Sequence, residues 1–483
     1  MSYATLADFL ALLQDNDELV RIPSLVDSSL EIAAITDRVT KSSPTGPALF
    51  FENVKNSTIP VVTNLLGSQR RICLCLGVTN PGEIGGDIER RLQMSPSGGW
   101  LDSFKLVPTR GSPSPWAPKL VKTAGCQQVV RVGRDVNLWD LPVPRSWIGE
   151  VDPVITAGQL AMYHPLTRKL HLFQDPLVVT GQAELAWYDS HHDQREIIQA
   201  AVQLQQNLPV SISLGGDPLL AVATGLPGIG DIRTFAGQHR GASLELVRSR
   251  TNEIEVPAAS EFILEGYIDA ANPRTARPRT VARGNGSYVT RDLPVIQLTA
   301  ITHRANPVFP VSIVGMPPSE ESWITSARER IQLSMLRQLL PEIVDLHQPF
   351  CGAGRNILFV SIHKTVEHQA RRVLNALWGL EHLGQTKMIV VVDADVDVQS
   401  EAAVWFTVGN HVCPNRDFVF SDGLARDDDY TSVTATLASR VGIDATRKMP
   451  QEIDRTWPRM LEMSDEMVAR VKERWGEYGL TDR

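Results

Sequence analysis

The middle of this chain constrains its fold most strongly, because residues 121–310 form a succession of short apolar runs separated by turn residues. The eight runs are QQVVRV, VITAGQLAMY, KLHLF, PLVVTG, VSISLG, SLELV, EFILEGYI and PVIQLTAITH. Many short strands with few helices between them are typical of a β-barrel or a β-sandwich. A domain holds about 100–150 residues, so the 483 residues allow about two to four domains.

Helix and strand patterns alternate on both sides of this middle part, which predicts two α/β regions. Near the start, TLADFLALLQD places apolar residues at helical spacing after Thr5, which can cap the helix. Towards the end, NILFVSI, HQARRVLNALWGL and KMIVVVDADVDV predict strand, helix and strand, and MSDEMVARVKERWGEY predicts a terminal amphipathic helix. We therefore predict an α/β domain over 1–118, a central β domain over 119–315 and a second α/β domain over 316–483.

Charge and composition exclude several classes of protein. A net charge of −8 argues against a general nucleic-acid binder. The N-terminus carries acids where a signal peptide needs basic residues, and no apolar run approaches the ~20 residues of a membrane span, so we predict a cytoplasmic protein. The five cysteines are scattered and indicate neither a disulfide framework nor a zinc site. Cys73 and Cys75 are predicted to be buried thiols on one face of a strand.

One stretch of the chain groups histidines with acids. In WYDSHHDQRE, His191 and His192 lie between Asp189 and Asp193. Such a cluster can ligate a metal ion or transfer protons. A solvated polar turn is the simpler interpretation.

Ten segments, in order along nearly the whole chain, resemble the UbiD-type carboxy-lyases. They are ALFFENV, AGCQQVV, NLWDLPVPRSW, PVITAGQ, PVSISLGGDP, FAGQHRG, NEIEVPAASEFILEGYI, VSIVGMPPSEES, KMIVVVDADVDV and GIDATRKMP. That family uses prenylated FMN to add or remove carboxylate on unsaturated or aromatic acids. The resemblance implies an α/β plus β architecture: a central split β-barrel related to flavin reductases, flanked by α/β domains. It also implies that the C-terminal domain forms a homo-oligomer.

The resemblance assigns cofactor binding to four positions. The family's Asn and Arg, five positions apart, correspond to Lys169 and Gln174. Pro227 matches a residue of the turn that lines the cofactor, and Lys387 matches a lysine near it. We expect Lys169 to act as the counter-charge of the cofactor phosphate, because an ammonium is a compact charge with three donors.

The resemblance also retains one of three metal ligands. The family's metal-binding Glu falls at Ile232, beside Asp231, and its metal-binding His corresponds to His191 or His192. A divalent metal is therefore doubtful, and Lys169 is expected to replace it.

The family's acidic loop, Glu-Gly-Pro-x-Gly-Glu/Asp, is replaced here by a basic segment. Between Ala270 and Arg291 the chain has five arginines and no acid, in what we read as a loop broken by Pro and Gly. A guanidinium cannot donate a proton at neutral pH, so the family's mechanism cannot operate unchanged. We expect this loop to bind a small anionic substrate through four of its arginines, namely Arg274, Arg277, Arg279 and Arg283. Alternatively, the arginines coat a solvated or subunit-facing loop.

Two functions follow from this resemblance. The first is a decarboxylase or carboxylase acting on an unsaturated or aromatic acid by an altered mechanism. In that case His191, His192, Glu261 or Glu265 would supply the acid. Glu261 and Glu265 are four apart in one strand and share a face, and the favoured interpretation is that they are structural acids of that strand. The second function is a non-catalytic homologue, serving as a ligand-binding protein or as the partner subunit of an active carboxy-lyase.

Overall fold

The computed structural model describes most of the chain. The described residues are 3, 5–43, 46–80, 82–83, 85–86, 115–190, 192–226, 231–275, 277–380, 382–434, 436–459 and 461–479. Two predicted site residues, His191 and Pro227, lie outside them.

Among the described residues, the N-terminal part combines helices with a small sheet. Its elements are α1 (Leu6–Asp15), β1 (Leu19–Val26), α2 (Glu31–Ser42), β2 (Ala48–Val54), β3 (Val61–Thr63) and α3 (Gln69–Leu76). Thr5 caps α1 as predicted: its hydroxyl accepts from the Asp8 N–H, and the Asp8 carboxylate accepts from the Thr5 N–H. Strands β1 and β2 are parallel, and β3 is antiparallel to β2.

The two N-terminal cysteines lie on a helix, so the prediction of a strand for them is wrong. Helix α3 begins after Ser68, whose hydroxyl accepts from the Arg71 N–H, and ends at Gly77 with φ +63°. Apolar residues at alternate positions of ICLCL fit a strand or a short helix equally well, and the two caps decide for the helix. Cys73 and Cys75 are both buried, as predicted.

The central part is built on one large antiparallel sheet. Its strands are β4 (Lys119–Leu120), β5 (Val129–Val132), β6 (Val154–Ile155), β7 (Gly158–Tyr163), β8 (Leu170–Phe173), β9 (Leu177–Gly181), β10 (Glu184–Trp187), β11 (Leu208–Leu214), β12 (Glu245–Arg248), β13 (Glu255–Pro257), β14 (Phe262–Ile268), β15 (Arg279–Ala282), β16 (Tyr288–Arg291) and β17 (Val295–His303). Nine of them pair in the order β6-β9-β10-β17-β14-β11-β7-β8, with β5 also on β17. Each of the eight predicted runs overlaps one or two of these strands. Helices α4 (His192–Gln203), α5 (Leu219–Ala223) and α6 (Ile232–Arg240) complete this part.

The chain then returns to the N-terminal sheet. Strand β18 (Phe309–Val311) pairs in parallel with β3 and completes a four-stranded sheet of order β1-β2-β3-β18. The central sheet and this small sheet share one hydrophobic core, in which Phe51 and Phe309 join Trp187 and Leu264. The N-terminal and central parts therefore bury each other's apolar surface.

The basic segment forms a hairpin rather than a loop. Strands β15 and β16 pair antiparallel from Arg279↔Arg291 to Ala282↔Tyr288. Gly286 takes φ +80° at the turn, a conformation that glycine adopts at little cost. The prediction of a loop is wrong for these two strands, and residues 279–291 are called the arginine hairpin below.

The C-terminal part is a five-stranded sheet with helices. Its elements are α7 (Glu320–Leu339), β19 (Ile343–His347), β20 (Ile357–Ile362), α8 (Gln369–Trp378), β21 (Met388–Asp393), α9 (Glu401–His411), α10 (Pro414–Asp417), β22 (Phe418–Leu424), β23 (Leu437–Asp444) and α11 (Asp465–Glu473). The sheet has the order β19-β20-β21-β23-β22, and its three inner strands are parallel. Helix α11 confirms the predicted terminal helix, and none of its residues is buried. Across the described residues, no helix is long and apolar enough to cross a membrane.

Candidate functional site

The arginine hairpin packs against a buried tyrosine at the end of β10. The guanidinium carbons of Arg283 and Arg291 each lie 4.4 Å from the centre of the Tyr188 ring. Tyr188 is fully buried, and its hydroxyl has no hydrogen-bond partner among the described residues. Burial raises the pKa of Tyr188, against the opposing charges of the two arginines. The phenol is therefore protonated at neutral pH.

The next residue, Asp189, brings three guanidiniums together. Its buried carboxylate lies 2.8 Å from Arg274, 2.9 Å from Arg291 and 3.8 Å from Arg195. A buried carboxylate is tolerated when charged partners surround it. Asp189 thus fixes the base of the hairpin to the start of α4, which carries Arg195.

Two acids from the C-terminal part complete the cluster. They lie in the connection between β22 and β23, where Asp427 is 2.7 Å from Arg291 and also pairs with Arg195. Asp428 is 3.5 Å from Arg283 and 2.8 Å from Arg426. Burial opposes ionisation of Asp428, but these two arginines outweigh it and lower its pKa. The hairpin and the C-terminal part are therefore joined by ion pairs.

This cluster carries more positive than negative charge. We call it the arginine junction, and it comprises Tyr188, the guanidiniums of Arg195, Arg274, Arg283, Arg291 and Arg426, and the carboxylates of Asp189, Asp427 and Asp428. Five cations face three anions, which leaves an excess of two positive charges. In addition, Arg291 Nε is buried without a hydrogen-bond partner in the described part of the chain.

The structure separates the four arginines that were expected to bind substrate. Arg274 and Arg283 lie in the junction. Arg279 pairs instead with Asp152 at 2.9 Å, within the central part. Arg277 is exposed and makes no ion pair with any described residue. Of the further junction arginines, Arg291 belongs to the same acid-free stretch, and no sequence signal pointed to Arg195 or Arg426.

The two strand carboxylates that were candidate proton donors hold other backbone segments. Glu265 is buried and accepts from the Arg250 and Thr251 N–H groups at 2.8 and 2.6 Å. Glu261 accepts from the Val308 N–H at 3.0 Å and pairs with Arg304 at 3.3 Å, and burial raises its pKa. Within the described residues, neither contacts the arginine junction.

His192 begins α4, so the interpretation of this segment as a polar turn is wrong from that residue onwards. The ligand atoms of His192, Asp193 and Glu196 lie within 4.8 Å of one another at the exposed start of the helix. His171 on β8 lies close by: burial and Lys169 lower its pKa, while Asp193 and Glu196 act in the opposite direction. Imidazole and carboxylate together suit a divalent cation.

The remaining predicted cofactor residues lie in different surroundings. Lys169 is exposed just before β8. Gln174 follows the same strand, and its Oε1 atom is buried with no hydrogen-bond partner in the described residues. Lys387 pairs with Asp429 at 2.6 Å, next to the acids of the junction. Asp231 caps α6 and pairs with Arg233 at 3.0 Å.

The chain with this fold, an antiparallel central sheet between two α/β parts, matches three family models in its sequence. They describe the N-terminal, Rift-related and C-terminal domains of 3-octaprenyl-4-hydroxybenzoate carboxy-lyase and match residues 10–92, 119–317 and 322–445. An uncharacterized protein of Aquifex aeolicus (strain VF5) is 35% identical over 99% of both chains. The chain belongs to the UbiD family of carboxy-lyases.

Solved structures of this class share the fold over the whole chain. The vanillic acid decarboxylase of Sedimentibacter hydroxybenzoicus in closed form has a TM-score of 0.86 at 23% identity, with 100% of both chains covered. Its open form gives 0.79 at 23% identity, covering 99% of this chain and 100% of the other. HmfF from Pelotomaculum thermopropionicum in complex with FMN gives 0.78 at 24% identity, covering 98% of this chain and 100% of the other. At these identities the likeness concerns the fold.

Proposed function

We propose that this protein is a carboxy-lyase that acts on an unsaturated or aromatic carboxylic acid with a flavin-derived cofactor, by a mechanism altered from the family's. The observation that carries the proposal is the excess of two positive charges at the arginine junction. Partly buried cations that outnumber their acids are stabilised when an anion joins them. Guanidiniums bind carboxylates through paired hydrogen bonds, which suits an anionic acid as the ligand.

The chain offers groups that fit a flavin mononucleotide. HmfF has been solved with FMN and, in an evolved dimeric form, with prenylated FMN. In this chain, His192, Asp193 and Glu196 would hold a divalent cation for the phosphate. This departs from the expectation that Lys169 replaces the metal, and Lys169, whose charge acts on the nearby His171, would add to the positive charge. The unpartnered Oε1 of Gln174 would accept a hydrogen bond from the cofactor. The prenylated flavin would supply the electron sink for loss of CO₂, and Pro227, Lys387 and His191 remain predicted contributors.

We assign the proton of the altered mechanism to Tyr188. It is the one member of the arginine junction that has a transferable proton at neutral pH, since the guanidiniums stay charged and the carboxylates are paired. Its raised pKa keeps the phenol protonated. Tyr188→Phe is expected to bind ligand like the wild type and to lose turnover. Equal turnover in the two proteins would reject this assignment.

Anion recognition is tested with benzoate and its uncharged amide, benzamide, as probes in titration calorimetry. We expect benzoate to bind and benzamide not to bind, and we expect Arg283→Gln to weaken benzoate binding by about tenfold, which is about 1.4 kcal/mol. Arg279→Gln is the matched control, because Arg279 lies in the same hairpin and pairs outside the junction. Equal affinity for benzoate and benzamide contradicts the proposal.

Cofactor binding needs a separate measurement. The protein is co-expressed with a flavin prenyltransferase and examined by mass spectrometry and absorbance. Bound prenylated FMN at one equivalent supports the proposal. Protein purified without flavin under these conditions contradicts it.

One set of observations favours a second function, that of a non-catalytic partner subunit. The arginine hairpin carries no acid, and Glu261 and Glu265 hold backbone N–H groups away from the junction. The vanillic acid decarboxylase neighbour is a two-subunit enzyme, ShVdcCD. This function predicts that the chain has no turnover alone and co-purifies with a family member that retains the Glu-Gly-Pro-x-Gly-Glu/Asp loop.

The exposed apolar surface of the C-terminal part supports a homo-oligomer. Phe420 and Leu424 on edge strand β22 are 76% and 73% exposed, and α11 buries no residue. Exposed apolar residues on a sheet edge are typical of protein contacts. Light scattering during size-exclusion chromatography is expected to give a multiple of the 53.3 kDa chain mass. A cytoplasmic location is proposed with it and is tested by cell fractionation.

A further inference from the structure

Two segments of opposite charge meet across the boundary between the central and C-terminal parts. One is the arginine hairpin, and the other is the sequence RDDD, residues 426–429, which we call the acidic loop. Besides the ion pairs of the junction, the Asn285 side-chain amide donates to the Asp428 carbonyl oxygen at 2.9 Å. Charged and neutral hydrogen bonds therefore join the same two segments.

Apolar packing contributes little to the position of the acidic loop. The chain between β22 and β23 is irregular, and Tyr430 and Val433, which follow the loop, are 75% and 66% exposed. A segment with few buried apolar contacts opens locally at low cost in free energy. The contacts that fix it are polar, with Arg291 and Arg195 on one side and Lys387 on the other.

The ion pairs between the arginine hairpin and the acidic loop are largely shielded from solvent. The side chains of Arg283 and Asp428 are 12% and 9% exposed, and those of Arg291 and Asp427 are 23% and 22% exposed. Ion pairs on a fully solvated surface contribute little, whereas pairs removed from solvent are screened less and bind more strongly. The acidic loop also covers the guanidiniums beside the fully buried Tyr188.

We infer that the arginine hairpin and the acidic loop form an electrostatic clasp, which closes the C-terminal part over the arginine junction and has to release before a ligand reaches Tyr188. That a ligand has to reach Tyr188 rests on the proposed function, whereas the ion pairs of the clasp and their test by hydrogen exchange do not. Its two halves lie far apart in the sequence, with Arg291 and Asp427 separated by 136 residues. The basic segment thus has its partner within the same chain.

Hydrogen exchange of peptides from residues 425–434 tests the clasp without a ligand. Asp427→Asn removes the pairs to Arg291 and Arg195, and we expect exchange in these peptides to become at least about tenfold faster, the factor that corresponds to about 1.4 kcal/mol. The matched control is Asp422→Asn on β22, because Asp422 accepts from Ser439 within the C-terminal part. It is expected to leave exchange in 425–434 unchanged. Wild-type exchange in Asp427→Asn overturns the inference.

A charge swap distinguishes the clasp from a general loss of structure. Arg195→Glu and Asp427→Arg each place like charges together, and the double variant restores an opposite pair between positions 195 and 427, while position 427 still faces Arg291 and position 195 still faces Asp189. We expect each single variant to lose protection in 425–434 and the double variant to recover part of it. A double variant that exchanges as fast as the faster single variant overturns the inference.

Access to the junction is the second readout. Phenylglyoxal modifies exposed guanidiniums, and the modification of Arg283 is followed by peptide mass spectrometry. We expect faster modification of Arg283 in Asp427→Asn than in the wild type or Asp422→Asn. Equal rates in all three proteins contradict the covering role of the acidic loop.

Discussion

Two ionic clusters of this protein differ in how their charges balance. In the C-terminal part, Lys448 lies 2.8 Å from Asp444 and 3.4 Å from Asp417, and Arg416 lies 2.7 Å from Asp417. Two cations therefore face two anions, and Lys448 and both carboxylates are almost fully buried. In the arginine junction, five cations face three anions, and several of the arginines remain partly exposed.

Under the proposed function, the difference separates a structural cluster from a binding surface. In a buried cluster with balanced charges, every charge has a partner of opposite sign. Removing one member leaves another charge buried without a partner. A cluster with excess cations can lose one guanidinium and keep its acids paired, and it can accept a further anion. The same residue types thus form a balanced ionic cluster in one place and, under the proposed function, an anion-binding cluster in the other.

The largest effect that tests this comparison is expected from Lys448→Met. Without Lys448, Asp444 loses its ion pair in the protein interior, so we expect a loss of about 3–5 kcal/mol in the free energy of unfolding. Arg283→Met is the contrasting variant, and a clearly smaller loss is expected from it, because Asp428 keeps Arg426 at 2.8 Å. Urea unfolding of both variants measures the difference. Equal losses would remove the distinction between the two clusters.

The next effect concerns Glu320, a buried carboxyl group outside both clusters. Glu320 begins α7 and accepts from the Leu66 N–H at 2.8 Å, and burial raises its pKa from 4.5 to about 7. The folded protein therefore holds this proton more tightly than the unfolded chain. The contribution to stability is complete below pH 4.5 and is lost as the pH rises through 7.

Glu320→Gln removes this titration. Relative to the wild type, the variant is expected to gain on the order of 3 kcal/mol between pH 4.5 and pH 8, since each pKa unit corresponds to about 1.36 kcal/mol. Urea unfolding at both pH values provides the comparison. The same pH dependence in both proteins would show that Glu320 stays ionised.

The smallest expected effect concerns the exposed cluster at the start of α4. His192→Ala removes one of three ligand atoms, and we expect Mn²⁺ to bind about tenfold more weakly, a loss of about 1.4 kcal/mol. His164→Ala is the control, because His164 lies beside His171 and outside this cluster. Titration calorimetry with Mn²⁺ measures both. Wild-type affinity in His192→Ala would exclude the cluster as a cation site.

Much of the architecture could be predicted from local patterns in the sequence. The eight apolar runs became strands of the central part, and Thr5 capped the first helix, because strand alternation and capping depend on neighbouring residues. Two of the wrong secondary-structure predictions also have local causes. ICLCL fits two periods, and its helix is decided by Ser68 and Gly77. The helix that begins at His192 starts within a group of two histidines and two acids, whose polarity is also typical of a turn.

The candidate site was less accessible to prediction. The arginine-rich stretch was visible as a run without acids, but its partners were not, because ion pairs across 136 residues leave no periodic signal. Residues that act through distant contacts, such as Arg195 and Asp427, are ordinary surface charges in the sequence. The resemblance to the family indicated which segment corresponds to the family's Glu-Gly-Pro-x-Gly-Glu/Asp loop. Only the folded chain showed which groups surround that segment.

The return of the chain to its first sheet has a consequence for synthesis on the ribosome. Strand β18 pairs with β3, and the Leu66 N–H bonds to Glu320, 254 residues further along the chain. Domains generally fold as they emerge, N-terminal first. Here the N-terminal sheet keeps an open edge until the entire central sheet has left the exit tunnel, so the first part of the nascent chain to appear is completed only after the central part.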